Sequence, residues 1–288
     1  GRAGGVRQAE AQRLGAFQRE VQVFLVQLDA ETGVEGALDH AFAVHLQDAA
    51  GREAAHQGLP HLGGLRIALL RCAIDDLQPI HWDYQGLLEH YKCVFNRNPL
   101  WLPFLDLPPL INLAEAALGE DCHVIGQTAW RSHPGYPGMG LHLDHLPMQL
   151  PAWISERGAF TQPMQILTVQ LYLSDIDHSI GPTWIVPGSH RAARPPQAGE
   201  VQWQGREAHP VLCKAGDALL LRSDVWHSGG ANCTQSRERD MLQVHYGRRM
   251  VAQKFSPYLH WQFNPHVLQE ATPRQRRLLG EHEEAAYD

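Results

Sequence analysis

From about residue 120 onward, apolar and polar side chains alternate with a period of two. The runs "HVIGQTAWR", "QILTVQLYL", "GPTWIVPG", "DALLLRSDVWH" and "DMLQVHYGRR" are short and broken by Gly, Pro and Asp, which predicts antiparallel strands joined by tight turns. "AGD" at 215–217 reads as a turn feeding one of them. Upstream the pattern is helical. "YQGLLEHYKCVF" has helical spacing, and "PPLINLAEAALGED" sets Leu110, Leu113, Ala117 and Leu118 on one face, with Pro near its start and Gly119 as its stop. Helices followed by at least five strands predict an α+β protein with a β-sandwich or double-sheet barrel at its heart.

Residues 1–78 have a different texture. "RLGAFQREVQVFLVQL" fits either a helical face or a short strand, and "DAAGREAAHQGLPHLGGLR" reads as loop with one short helix at most. No site logic emerges there. The expected organisation is an N-terminal extension over 1–78 and one domain over 79–288.

Composition narrows the class. The 288 residues are 44% hydrophobic and 19% charged, a globular balance with material for a sizeable core. The net charge of −7 offers no long-range attraction to nucleic acid or anionic membranes. No apolar run approaches the ~20 residues of a membrane span. The five cysteines are scattered, with no CxxC pair, so neither a disulfide framework nor a zinc ribbon is expected. With no basic region and apolar block at the N-terminus, the expected location is cytoplasmic. Oligomeric state is not legible.

The candidate chemistry lies in "GMGLHLDHLP", where His142, Asp144 and His145 fall within four positions. On a strand, His142 and Asp144 would share a face. The best third ligand is His227, which ends an apolar run just where the chain breaks into glycines. Two His and one carboxylate form the facial triad of non-haem Fe(II) oxygenases and leave coordination positions open. A 2-oxoglutarate co-substrate would need a guanidinium for its distal carboxylate. Arg239, which opens "RDMLQVHYG", is the first choice and Arg237 the alternative. Under the triad, His145 is expected on the opposite face, as a structural or rim residue.

Here the chain resembles a known family. "FNRNPLW", "GQTAWR", "LHLDHLP", "LYLSDIDHSIGPTWIVPGSHR", "AGDALLLRSDVWHSGGAN" and "RDMLQVHYG" look like the phytanoyl-CoA dioxygenase family of Fe(II)/2-oxoglutarate oxygenases, in its order, from about residue 80 to 250. Residues 1–78 match nothing in it. The resemblance implies a double-stranded β-helix, the cupin-like jelly roll with flanking helices. It places His142, Asp144 and His227 on the iron and Arg239 on 2-oxoglutarate, with one residue more than usual between His227 and Arg239. It also places Gln127 and Gln170 beside the co-substrate, and Trp184, Ser189 and His190 in the PGSH segment. It implies a small-molecule substrate, O₂ as second co-substrate, and succinate and CO₂ as co-products. Halogenating relatives replace the carboxylate ligand, so Asp144 implies hydroxylation, desaturation or ring chemistry.

Two other readings are weighed. A metallo-hydrolase with an HxHxDH motif would need His at position 140, where the chain has Gly140. A jelly roll that binds a metal or ligand without turnover is the other. Met148, Trp153, Phe160 and Met164 are pocket-lining candidates for a lipid-like or secondary-metabolite substrate. Arg191, Arg194 and Lys214 are candidates for a CoA phosphate.

Overall fold

A computed structural model of the chain describes residues 23–26, 64–79, 81–108, 110–146, 148–156, 162–255 and 260–282. The elements run β1 (Val23–Val26), α1 (Gly64–Asp75), β2 (His81–Asp83), β3 (Leu88–Lys92), α2 (Leu110–Leu118), β4 (His123–Ser132), α3 (Ala152–Ser155), β5 (Ile166–Tyr172) and β6 (Thr183–Ile185). They continue β7 (Gln202–Trp203), β8 (Arg206–Glu207), β9 (His209–Val211), β10 (Ala218–Arg222), β11 (His227–Gly229), β12 (Arg239–Gly247), α4 (Pro265–Glu270) and α5 (Pro273–Leu278).

The strands form a seven-stranded sheet in the order β1-β10-β5-β12-β4-β3-β2 and a smaller one in the order β11-β6-β9. All pairings are antiparallel. An isolated bridge between His142 and His227 lays the "GLHLD" run against the smaller sheet. Two facing antiparallel sheets with this order are the jelly roll, α+β once the helices are counted.

Both faces of the central strands are covered, so β5, β10 and β12 are buried throughout. The outward face of the large sheet, with Leu167, Val169, Leu171, Leu220, Leu242, Val244 and Tyr246, packs against α2 and its neighbours in the main core. The inward face meets the small sheet through a second cluster of Tyr172, Ile185, Leu219, Leu221, Val225 and Met241. Each strand thus alternates between two different interiors.

The strand expectations hold for β4, β5, β6, β10 and β12. The helix expected at 108–121 spans Leu110–Leu118 and ends on Gly119, whose φ of +113° suits glycine. "YQGLLEHYKCVF" departs from its helical expectation. It forms a short 3₁₀ turn, strand β3 and a second 3₁₀ turn, because pairing along β4 satisfies the backbone of Leu88–Lys92 and tertiary pairing outweighs local spacing. The ambiguous N-terminal run contains β1, an edge strand on β10; residues 48–63 of the expected loop lie outside the described residues.

Helix α1 starts at residue 64, inside the N-terminal portion expected to be an extension. Leu70 and Ile74 are fully buried in the main core. Arg71 Nε donates to Asp240 Oδ2 at 2.8 Å, and Arg131 Nε donates to Asp240 Oδ1 at 2.7 Å. A boundary after residue 78 would separate this helix from the core it covers. No helix among the described residues is long and apolar enough to cross a membrane.

Ile74→Ala is expected to lower the unfolding free energy by about 2–5 kcal/mol, as for a truncated core side chain. Urea denaturation checks this. A change within about 0.5 kcal/mol, as at a surface position, would mean that α1 is not part of the cooperative unit.

Candidate active site

The run from 138 to 146 is extended but is not a strand. Its pairing is limited to a few bonds. Met139 N–H donates to Gly229 O, and His142 and His227 exchange backbone bonds at 2.9 and 2.8 Å. Gly138, at φ +81°, lies so close to Gly229–Ala231 that a Cβ there would meet Ala231 N at 2.9 Å. This close approach sets His142 opposite His227. The chain then bends at Asp144, where the N–H groups of Asp144 and His145 both donate to Ser223 O at 3.1 Å.

The structure brings together the three expected ligands. Asp144 Oδ1 lies 3.6 Å from His227 Nε2 and 3.9 Å from His142 Nε2. One ligand atom from each residue falls within 4.8 Å of the others. Each imidazole is oriented from behind: His142 Nδ1 meets Gly140 O at 3.0 Å and His227 Nδ1 meets Val225 O at 2.9 Å. A carbonyl can only accept, so Nδ1 carries the proton and Nε2 presents its lone pair to the cluster.

Electrostatics agree. Burial opposes ionisation of Asp144, but His227 and then His245 and His142 outweigh it and hold the carboxyl well below the usual carboxylate range. Burial opposes protonation of His227, yet Asp144 raises it above its ordinary value. His142 is lowered by burial and by His227. This is an ionised carboxylate between two imidazoles, the donor set of a borderline divalent ion.

The PGSH segment braces this site from outside. Ser189 Oγ accepts from Trp226 N–H at 2.7 Å, and Trp226 Nε1 donates to Arg194 O at 2.8 Å. Both fix the residue before His227. Trp184 pairs with Ser228 across β6 and β11. His190 is buried, and burial together with Arg222, Arg191 and Arg206 pushes it down to about 3.

Arg239 and Arg237 separate cleanly. Arg237 is half-exposed and pairs with Asp177 at 2.8 Å and Ser179 Oγ at 2.7 Å. Arg239 is buried and faces inward. Its Nη2 donates to Thr183 Oγ1 at 3.0 Å, its guanidinium lies 5.7 Å from the Tyr172 ring centroid, and its Nε has no partner. Among the described residues no carboxylate pairs with it. Gln170 belongs to the same corner, its Oε1 accepting from Tyr172 Oη and Thr183 Oγ1, each at 3.1 Å.

Gln127 does not reach this corner. It pairs with Val244 across β4 and β12, so it points outward with Val244, away from Arg239 and Gln243. It is fully buried, with Oε1 accepting from Phe95 N–H at 3.0 Å and Nε2 donating to Trp101 O at 3.3 Å. Thr128 and Trp130 are the residues of that strand in register with Gln243 and Met241. Trp130 Nε1 donates to Gln243 Oε1 at 3.1 Å.

Several residues went unnoticed in the sequence. Gln243 Nε2 approaches Asp144 Oδ2 at 3.5 Å, and Tyr136 has a buried hydroxyl without a partner. A glycine-rich run disguised Tyr136; the inward period of "RDMLQVHYG", counted from Arg239, would have found Gln243 and His245. His145 departs from its expected place. The bend at Asp144 sets its ring 5.1 Å from that of His245, on the Asp144 side. Burial lowers both, His145 to about 4 and His245 to about 3.

A cleft of ≈ 540 Å³, lined by Asp83, Tyr84, Met139, Gly140 and His142, opens beside the triad. Met148 and Trp153 are exposed, whereas Met164 lies in the main core. Phe160 lies outside the described residues. Of the proposed phosphate contacts, Arg194 is held by Glu200 and Lys214 by Asp175, while Arg191 Nε is buried without a partner.

A jelly roll with two His and one carboxylate between its sheets defines the class of cupin-like metal-site proteins. Residues 86–241 match the family Phytanoyl-CoA dioxygenase (PhyH), and the chain belongs to that family. It is 27% identical over 186 residues to Dioxygenase af480 of Aspergillus fumigatus, covering 62% of this chain and 54% of that protein. It is 23% identical over 197 residues to the uncharacterized protein Rv1501 of Mycobacterium tuberculosis, 68% of each chain. The match thus spans about half the length of the Aspergillus relative. Among solved structures, the α-ketoglutarate-dependent epimerase SnoN from nogalamycin biosynthesis is similar, with TM-score 0.56, 16% identity and 84% of each chain covered. HygX from Streptomyces hygroscopicus, with nickel and 2-oxoglutarate bound, is similar too, with TM-score 0.56, 14% identity, and 84% of this chain and 88% of that one covered. These likenesses establish the fold.

Gln127→Ala is expected to leave the buried Phe95 N–H and Trp101 C=O unpaired and to cost about 1–3 kcal/mol of stability. Chemical denaturation measures it. Unchanged stability with weakened 2-oxoglutarate binding would return Gln127 to the site.

Proposed function

We propose that this protein is an Fe(II)- and 2-oxoglutarate-dependent dioxygenase that hydroxylates an unactivated C–H bond of a small molecule. The observation that carries this reading is the pairing of an outward-braced two-His, one-carboxylate cluster on the small-sheet side with a buried, partly unpartnered guanidinium on the large sheet facing it. A triad alone would suit many ions. A buried Arg with no anion of its own is costly unless a ligand brings one.

His142, Asp144 and His227 would hold the iron, using the two Nε2 atoms and a carboxylate oxygen. The buried Nε of Arg239 is the donor left for the distal carboxylate of 2-oxoglutarate, and the Tyr136 hydroxyl is a second free donor nearby. Arg239 Nη1 and Tyr136 Oη lie 3.8 and 3.9 Å from the position a Gly229 Cβ would take, which sets both residues at one corner. Thr183 and Tyr172 keep the guanidinium in place, and Gln170 steadies both. Iron with its co-substrates supplies O₂ activation, with 2-oxoglutarate leaving as succinate and CO₂. The chain contributes orientation, and its apolar inner layer of Tyr172, Ile185, Leu219, Leu221 and Met241 excludes water.

The cleft beside His142 is the proposed substrate entrance, and a secondary metabolite is the proposed substrate class. SnoN and HygX support that class as relatives in fold: one is described as an epimerase of nogalamycin biosynthesis, the other has been seen with hygromycin B bound. Retention of Asp144 favours hydroxylation over halogenation. A cytoplasmic location is proposed with it.

Anaerobic titration of the chain with Fe(II) and 2-oxoglutarate tests the reading. A weak visible charge-transfer band of the iron chelate is expected, and His142→Ala or Asp144→Ala should abolish it. Its absence in the unaltered chain would remove the dioxygenase reading in favour of a binding protein. Arg239→Ala is expected to raise the 2-oxoglutarate concentration needed for half-saturation by about 10-fold or more, as when a charge-assisted hydrogen bond of about 1.5–3 kcal/mol is lost. Arg237→Ala should change it little, and the reverse order would reassign the co-substrate contact.

A further inference from the structure

Asp144 is also close to a second pair of imidazoles, His145 and His245. We propose that Asp144, His145 and His245 form a second cation site, suited to a borderline divalent ion such as zinc, cobalt or nickel. It goes beyond the iron triad and shares one carboxylate with it.

Three observations carry this. First, one ligand atom each from Asp144, His145 and His245 lies within 4.8 Å of the other two, the same closeness as in the triad. Modest side-chain rotation would bring them to the ~2.0–2.2 Å that nitrogen and oxygen ligands keep from zinc. Second, both ring nitrogens of His145 are buried with no hydrogen-bond partner. Such groups are rare in folded proteins, and an unseen ion is a recognised cause. Third, His245 is oriented like a ligand. It is buried, its Nδ1 meets Thr168 Oγ1 at 2.9 Å, and Thr168 Oγ1 meets Ser223 Oγ at 2.5 Å. That chain fixes the ring and leaves Nε2 free, as second-layer partners do at metal sites.

The shared carboxylate has two oxygens to offer. Oδ1 faces His142 and His227. Oδ2 is approached by Gln243 Nε2 at 3.5 Å, a long contact that an ion would displace at little cost. The two imidazoles select a nitrogen-preferring ion over magnesium or calcium. Lys254 is the cationic neighbour. Its stem lies over Gly126; the residue is exposed as a whole, yet burial lowers its ammonium, so an ion at this cluster requires that ammonium to swing out into water.

The test is equilibrium dialysis of the full-length apo chain against Co²⁺, with metal quantified per chain and the visible ligand-field bands recorded. His142→Ala combined with His227→Ala dismantles the iron triad and leaves the second cluster intact. The folded double variant, checked by circular dichroism, is expected to keep one cobalt per chain. Adding His145→Gln or His245→Gln should abolish that cobalt and its bands. Thr168→Val should weaken it about 10- to 100-fold, the usual effect of losing a residue that orients a ligand. If the double variant does not fold, His142→Ala alone replaces it, at a half-exposed position. No retained cobalt in the folded variant, or cobalt indifferent to His145→Gln and His245→Gln, overturns the second site. Either result leaves the iron triad standing as long as the unaltered chain still shows the iron–2-oxoglutarate band. Persistence of that band in the double variant would instead overturn the triad.

Discussion

The register of β12 between β4 and β5 is the constraint on which the rest depends. Side chains on a strand alternate, so one choice of register assigns every residue of Arg239–Gly247 to one of two interiors. Leu242, Val244 and Tyr246 enter the main core beneath the helices, and Asp240 takes the same side, where Arg71 and Arg131 hold it. Arg239, Met241, Gln243 and His245 enter the chamber between the sheets. A slip of one residue would bury Arg239 under α2 and push Leu242 into the site. The Asp240 ion pairs resist that slip on one side and the Arg239–Thr183 bond on the other.

That alternation explains how one sheet is both a core and a wall. The outward faces of β5 and β12 are mostly apolar, and the polar groups they carry, Asp240 and the Tyr246 hydroxyl, are paired by Arg71, Arg131 and Leu105 O. Their inward faces carry Thr168, Gln170, Gln243, His245 and Arg239, each of which needs a partner once water is removed. Thr168, Gln170 and Gln243 find theirs among one another's neighbours. Arg239 Nε and the His145 ring do not. Two of the groups with unmet hydrogen-bonding capacity, Arg239 Nε and the His145 ring, thus belong to the surroundings of this chamber. The family match gives that arrangement its chemical reading, and the unmatched length of the Aspergillus relative keeps the substrate a matter of proposal.

The sequence by itself determined the strands that alternate cleanly, the helix that stops at Gly119, and the choice of His142, Asp144 and His227 as the expected ligand set, which the structure brings together. Spacing and strand ends are local properties, written in neighbouring residues. It preferred Arg239 to Arg237 but could not separate them, since both precede the same strand. Only the tertiary structure decided that Arg237 spends its charge on Asp177 while Arg239 lies buried. It also turned "YQGLLEHYKCVF" from a helix into β3, because a backbone edge on β4 was there to be paired. It sent Gln127 to the outer face and Met164 to the core, which depends on strand parity and packing across the sheet. It set His145 beside His245, where one bend at Asp144 cancels the alternation that had turned it away. Contacts between residues distant in sequence are fixed by packing, and no local pattern encodes them.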